Sequence, residues 1–341
     1  MAKAVALFSG SLASIAAARI VMADPNVDDV LPLHFRSPFF RDYEQTKDLG
    51  QHWFTSPFRS QGVKREFADL TNIPHTGGYN RKSCCTGCRT LMIRKGLRYM
   101  HKVGADFLIT GEIVGTRGLH ADDVLRLTHD AGAEDHVLRP LSAHLLPPTR
   151  PELEGLVDRD RLYALDDETR HDRLPRVAES LGIHCEGFPA ERRCKLLLPY
   201  FGRRLEDLLQ EDHLTLNGLE LLEFPLYYKK QPDVKIVLGR DEEEKQRLQT
   251  FFLPNDLRLY VAMGEGPIAL VRADWQAKSD YEVLEIIELA ARITAMHADI
   301  GARHRVQANY RFEHSEQTNR IRIAPFDSER ELEEHCVQYN F

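Results

Sequence analysis

Three of the six cysteines in this chain crowd into "SCCTGC" at residues 83–88. Cys85 and Cys88 form a C-x-x-C pair, a spacing that points two sulfurs at one ion or cluster. Such a pair is a redox disulfide, half of a zinc site or part of an iron–sulfur site. Cys84 beside them is read as a small buried residue rather than a spare nucleophile, and Cys185 and Cys336 as interior. A second stretch with chemical potential is "AVALFSGSLASIAAARIV" near the start. A strand-like run enters a small-residue turn and leaves as a helix. A helix N-terminus offers free backbone N–H groups and a positive dipole end to a phosphate. Ser9, Gly10, Ser11 and Ser14 are the residues placed to use it, although a turn that serves packing is the stronger reading of this loop alone. Gly111 and Glu112 close a third candidate segment, "ADFLITGE". Glu112 either binds a ligand or magnesium, or caps the next turn.

The surrounding pattern supplies elements to position these residues. "AVALF" and "DVLPLHF" read as strands, and "GVKREFADLTNI" as strand or helix ending near Pro74. "CRTLMIRKGLRYMHKVG" carries apolar residues at helical spacing and stops at Gly104. "ADFLITGE" is a short buried strand. Strands alternating with helices at this spacing predict an α/β domain, a parallel sheet with helices on both faces. Ligands of such sheets bind beyond the carboxyl ends of the strands, so "SGS", "FRSPFF" and "TGE" should meet at one crevice.

Residues 161–224 read as a helical and loop extension carrying Cys194. "PLYYKKQPD" at 225–233 reads as a break. Beyond it, alternating strand signals and the striped helix "YEVLEIIELAARITAMHA" predict a smaller C-terminal α+β domain over 225–341, after an α/β domain over 1–160. Lys229, Lys230, Lys235 and Arg240 beside Tyr227 and Tyr228 suit single-stranded RNA by charge and stacking, or else form a solvated loop. Arg139 and Arg159 could meet phosphates, with surface ion pairing the commoner use. His120 is the one histidine worth watching.

Composition sets outer limits. The chain has 341 residues, a net charge of −7 and 43% hydrophobic residues, which fits a globular protein of two or three domains and excludes a uniformly basic nucleic-acid binder. Arg19 and "SGS" interrupt what would be a signal sequence, and no apolar run is long enough to span a membrane. Six cysteines are too few for a disulfide framework. A cytoplasmic location without a membrane is the expectation.

"FSGSLASIAAARIV" resembles the "SGGxDS" signature of PP-loop ATP pyrophosphatases. "CCTGCRTLMIRKG", "ADFLITGEIVGTRG" and "LRPLSAHLLPPTRPELEGLVDR" resemble, in that order, a bacterial PP-loop family described as tRNA-thiolation-like. These are enzymes of the tRNA 2-thiouridine or 4-thiouridine synthase type. The resemblance runs over residues 1–160 and is patchy over 161–210. Residues 225–275, with "VLGRDEEEKQRL" and "GEGPIALVR", resemble the RNA-binding domain of NFACT proteins.

The resemblance implies an adenine nucleotide alpha hydrolase-like fold. It implies ATP and Mg2+ held at Ser9, Gly10, Ser11, Ser14, Gly111 and Glu112. ATP would activate a uridine oxygen as an adenylate, and sulfur would displace AMP. A [4Fe-4S] cluster on Cys85, Cys88 and Cys194, catalytic and metal-binding at once, would handle the sulfur. Zn2+ is the alternative and would want a fourth ligand. The implied partners are tRNA or another RNA, and a sulfur donor protein. Two departures weaken the ATP half. Ser11 stands where the family has glycine, and Ala13 where it has the acidic residue that handles magnesium and pyrophosphate. "FPAERRC" also lacks the paired glycines expected before Cys194. Two alternatives therefore stand beside a tRNA sulfurtransferase-like enzyme. One is an inactive partner that binds nucleotide or RNA, and the other is an iron–sulfur sulfur-handling enzyme that no longer uses ATP.

Overall fold

The computed structural model describes residues 1–37, 39–40, 42–63, 81–184, 188, 194–195, 198–210, 215–262, 266–300, 305–335 and 337–338. The chain divides into two compact units, Met1–Leu197 and Leu198–Phe341, a division that falls inside the 161–224 stretch.

Unit 1 begins with β1 (Ala2–Leu7), α1 (Leu12–Met22), β2 (Val27–Arg36), α2 (Tyr43–Trp53) and β3 (Arg59–Gly62). It continues with α3 (Arg81–Val103), β4 (Phe107–Thr110), α4 (Ala121–Ala131), β5 (Val137–Leu138), α5 (Arg150–Leu153) and α6 (Arg170–Ser180). The sheet order is β3-β2-β1-β4-β5, with every pair parallel. The period-2 alternation of strands explains the two-sided core. Ala4, Ala6, Phe107 and Ile109 join Ile15, Ala16 and Ala17 of α1 in one cluster. Leu7 and Leu108 point the other way, where α3 lies so close that a Cβ on Gly96 would come within 2.8 Å of Leu7. The alanine-rich α1 and that glycine let both helices sit tightly on the sheet. Gly104 ends α3 with φ +63, the left-handed conformation that favours glycine. The sheet is therefore the expected parallel sheet with helices on both faces.

Unit 2 comprises α7 (Pro199–Gln210), α8 (Leu216–Leu221), β6 (Leu226–Lys230), β7 (Val234–Gly239), α9 (Glu242–Gln249), β8 (Leu257–Val261) and β9 (Ile268–Arg272). Next come α10 (Asp280–Met296), β10 (Val306–Phe312), β11 (Asn319–Ile323), α11 (Glu329–His335) and β12 (Val337–Gln338). Its sheet runs β11-β10-β8-β9-β7-β6-β12 with antiparallel pairings. One face packs Ile236, Leu259, Val271 and Ala308 against Ile286, Ala290 and Ile293 of α10.

The break expected at "PLYYKKQPD" is instead strand β6. Tyr227 and Tyr228 are buried. Lys229 is buried in an ion pair with Asp207, and Lys230 pairs with Glu285. Tyr227, Tyr228, Lys229 and Lys230, four of the residues that suggested a nucleic-acid stretch, are thus core or ion-pair residues. A buried guanidinium supports this corner. Arg204 donates to the carbonyls of Leu222 at 2.7 Å and Phe224 at 2.6 Å and lies between the rings of Tyr200 and Tyr227. Burial lowers its pKa to about 10.

Among the described residues, no helix is long and apolar enough to cross a membrane. "GVKREFADLTNI" from Lys64 onward lies outside the described residues, as do Cys185, Cys336, Arg192 and Arg193. The side chain of Cys84 is likewise not described.

Candidate functional site

Three strand ends converge as the topology requires. Strands β1 and β4 are neighbours, yet the chain after β1 runs outward on one side and after β4 on the other. That reversal opens a crevice at their carboxyl ends. A cavity of about 470 Å³ occupies it, lined by Ser9 and Ser11 from the first turn, Ala13 and Ser14 from the start of α1, His34 and Phe35 from β2, Thr110 from β4, and Gly111 and Glu112 from the turn after it. Cys85 and Cys88 from the start of α3, and Cys194, line the same cavity. Of the residues singled out by sequence, Gly10 does not line it. Gly10 is buried and supplies the φ of +72 that turns the chain.

The turn satisfies itself. Ser11 is the N-cap of α1, and its Oγ accepts the Ser14 N–H at 3.3 Å. The Ser9 and Ser11 hydroxyls lie 3.0 Å apart, and Ser14 Oγ donates to the Ser11 carbonyl at 2.9 Å. One N–H that a phosphate would want is therefore taken by a side chain. Gly111 has a packing reason to be glycine: a Cβ there would lie 2.6 Å from the Ser14 nitrogen and 2.7 Å from the Ala13 carbonyl carbon.

Glu112 faces cations. Arg139 Nε donates to Glu112 Oε2 at 2.9 Å, and Arg89 Nε lies 3.6 Å from Oε1. Burial alone would raise the carboxyl's pKa. Arg139, then Arg89, and hydrogen bonds from Arg139 and Thr110 outweigh it and hold the group below its ordinary value. Arg139 is itself only 3% exposed. Its partner is Glu112 rather than a ligand phosphate. Arg159 also has structural partners, Glu152 and the carbonyls of Ala143 and Leu146. His120 lies outside the cavity as the exposed N-cap of α4, where its N–H donates to Asp123 at 3.1 Å.

Cys85, Cys88 and Cys194 are buried and not in disulfides. Cys194 reaches the cavity because its backbone forms a bridge with Phe40, just beyond β2, and Lys195 N–H donates to the Phe39 carbonyl at 2.9 Å. The three sulfurs feel each other. Burial, then the neighbouring Cys194 and Cys85, push the Cys88 thiol well above its ordinary value, while Arg89 and Arg117 oppose the shift. Among the described residues, no group of three His, Cys, Asp or Glu is arranged to hold a metal ion. Arg89 and Arg117 were missed by sequence reasoning. The adjacency of Arg89 to Cys88 was the available signal. His34, whose ring bonds the Phe8 carbonyl at 2.9 Å through Nδ1, gave no signal beyond its place at a strand end.

Residues 227–336 match the NFACT protein RNA binding domain. No curated protein matches the chain. Solved structures are similar at low level, three of them as follows. The C-terminal part of a fibronectin/fibrinogen-binding protein from Streptococcus suis is 12% identical, with a TM-score of 0.28 over 50% of this chain and 80% of that one. NMN synthetase from Francisella tularensis is 10% identical, with a TM-score of 0.38 over 65% of this chain and 83% of that one. A U34-tRNA thiolase from Methanococcus maripaludis, with its [4Fe-4S] cluster, is 15% identical, with a TM-score of 0.28 over 65% of this chain and 70% of that one.

Proposed function

We propose that the chain is an RNA-directed sulfur-transfer protein of the tRNA-thiolation type, in which unit 2 engages RNA and unit 1 handles sulfur at Cys85, Cys88 and Cys194. One observation carries the reading. Three buried thiols from two distant segments line one cavity at the strand-end crevice, facing the turn where a nucleotide would sit. A lone structural cysteine needs no such company.

The donor set fits an iron–sulfur group better than a single ion. A zinc ion would want a fourth protein ligand beside the three thiols, whereas a cluster can keep one iron free of protein. A cluster spreads its ligands over separate corners. Burial keeps Cys88 protonated on its own; a bound cationic group would release that proton, as metal binding to thiols does. A [4Fe-4S] group held by Cys85, Cys88 and Cys194 would supply an iron free of protein ligand to carry sulfide. Arg89 and Arg117 would offset the negative charge of the thiolates, and the apolar walls of Leu7, Phe8, Phe35 and Met92 would exclude water from bound sulfur.

The nucleotide half of thiolation chemistry is weaker. Ser11 takes up a helix N–H, Ala13 offers no carboxylate, and Glu112 is engaged by two arginines. These observations favour a second reading, sulfur handling without ATP cleavage or RNA binding without turnover. The test is anaerobic purification followed by iron, sulfide and zinc analysis, then incubation with bulk tRNA, ATP and a sulfide source. About four irons per chain with AMP release and thiolated uridine support the full proposal. Iron without AMP release supports the ATP-independent form. Protein without iron, and tRNA without added sulfur, reject sulfur transfer.

A further inference from the structure

The seven-stranded sheet of unit 2 has one face packed on α10 and a second face that is covered over only part of its width. On that second face Tyr227, Val237 and Leu270 stand side by side in register on β6, β7 and β9, all buried. The next position across is Arg258 of β8, which pairs with Glu313 at 2.6 Å and stacks on Phe252. From there outward the side chains are half-buried or exposed. Tyr260 of β8 is 39% exposed. Its neighbour across the pair is Asn309 of β10, and Asn309 in turn faces Arg320 of β11. Gln307 faces Arg322, and Arg311 faces Arg258. Arg320 and Arg322 are exposed.

Three properties separate this face from an ordinary solvated one. First, among the described residues neither Arg311, Arg320 nor Arg322 has a carboxylate partner, whereas Lys229, Lys230, Arg258 and Arg272 in the same sheet each have one. Second, arginines stand close together. Like charges directly opposite across a strand pair destabilise a sheet, and Arg311 stands opposite Arg258. Third, Asn309 Oδ1, between Tyr260 and Arg320, is buried without a hydrogen-bond partner. A cationic strip with an accessible aromatic ring has the chemistry of a single-strand platform, guanidinium groups for phosphates and a ring for base stacking, beside an amide oxygen that finds no partner among the described residues.

We infer that Tyr260, Asn309, Arg311, Arg320 and Arg322 form the surface on which unit 2 holds single-stranded RNA. This rests on the reading of unit 2 as an RNA-binding domain and specifies its face. It also replaces the stretch around Lys229 and Lys230.

The test uses the full chain and a fluorescently labelled single-stranded RNA of mixed sequence, read by anisotropy across a salt series. The double variant Arg320→Gln/Arg322→Gln changes exposed residues only, and circular dichroism checks its fold. It should weaken binding and reduce the slope of log affinity against log salt by about 1.4, at about 0.7 per lost phosphate contact on a single strand. Tyr260→Ala should weaken binding about tenfold with the slope kept. Lys230→Ala/Lys235→Ala should leave both within about twofold. Unchanged affinity and slope in the Arg320/Arg322 and Tyr260 variants would overturn the assignment of this face while leaving RNA binding intact. No RNA binding by the unaltered chain would overturn both readings. Binding of poly-glutamate, lost in the arginine variant, without binding of RNA would give the face to an acidic protein and overturn the inference.

Discussion

Glu112→Gln is the substitution on which the two readings of the strand-end carboxylate disagree most. In the unaltered protein the carboxylate neutralises Arg139, which is 3% exposed and whose other described hydrogen bond is to the Val124 carbonyl at 3.4 Å. Glutamine keeps an acceptor but removes the charge, leaving a buried guanidinium uncompensated. Breaking a buried pair in this way costs about 3–5 kcal/mol, and the retained acceptor puts the expected loss near the lower end, about 3 kcal/mol. For a unit of this size that is a fall in Tm of roughly 6–12 °C. Urea unfolding followed by fluorescence of Trp53, which packs on the unit 1 core, in a Trp275→Phe background reports on unit 1 alone. Acid adds a second readout. The folded carboxyl's pKa lies below its ordinary value. Its contribution is therefore complete above the unfolded pKa of about 4.3 and is lost as the pH falls through the folded value. The variant and the unaltered protein should differ at neutral pH and converge at strongly acidic pH. A loss below about 0.5 kcal/mol would refute the arginine clamp. So would stabilisation of the unaltered protein by Mg2+ that the variant lacks, which would make Glu112 a metal ligand.

Ser11→Gly with Ala13→Asp frees a helix N–H and restores a carboxylate, so magnesium-dependent ATP binding measured by calorimetry should strengthen over that of the unaltered chain. Gly111→Ala forces a Cβ against the α1 backbone and should destabilise unit 1 by about 1–3 kcal/mol in the same Trp53 assay. Cys88, with its thiol pushed up by burial and its cysteine neighbours, should be alkylated at pH 8 at less than about a tenth of the rate of an exposed cysteine in metal-free protein, as followed by mass spectrometry. Arg204→Met leaves the Leu222 and Phe224 carbonyls without their donor; about 1–3 kcal/mol for each unsatisfied group makes unit 2 measurably less stable in thermal unfolding.

Much of unit 1 was legible because its signals are local. Strand-then-helix alternation at "AVALF" and "ADFLITGE" sets the sheet, and a parallel sheet sends its strand ends to one edge. That is how Ser9, Ser11, Ser14 and Glu112 could be placed at one crevice from sequence. What the side chains do there was not legible. Glu112 looked available because its partners, Arg139 and Arg89, come from other elements, and ion pairing across elements leaves no periodic trace. Unit 2 misled for a related reason. "LYYKK" is polar and aromatic in composition, yet it is a strand covered on both faces, because α7 supplies Asp207 to Lys229 and α10 supplies Glu285 to Lys230. The arginines of β10 and β11, by contrast, are scattered along the sequence and become a patch only through strand register.

The bridge between Phe40 and Cys194 fixes an order of events in the life of the chain. Cys88 and Cys194 are separated by 106 residues. A ribosome adding about 5–20 residues per second leaves an interval on the order of 10 s in which the C-x-x-C pair has been made and its third companion has not. During that time the two thiols have no complete site, and Phe40 has no strand partner from residue 194. On the proposed reading of the three cysteines, loading of a cluster or sulfur carrier would follow completion of unit 1 rather than accompany its synthesis. A chain truncated before residue 194 would keep the sheet-forming segments and the C-x-x-C pair but could not close the three-cysteine cavity.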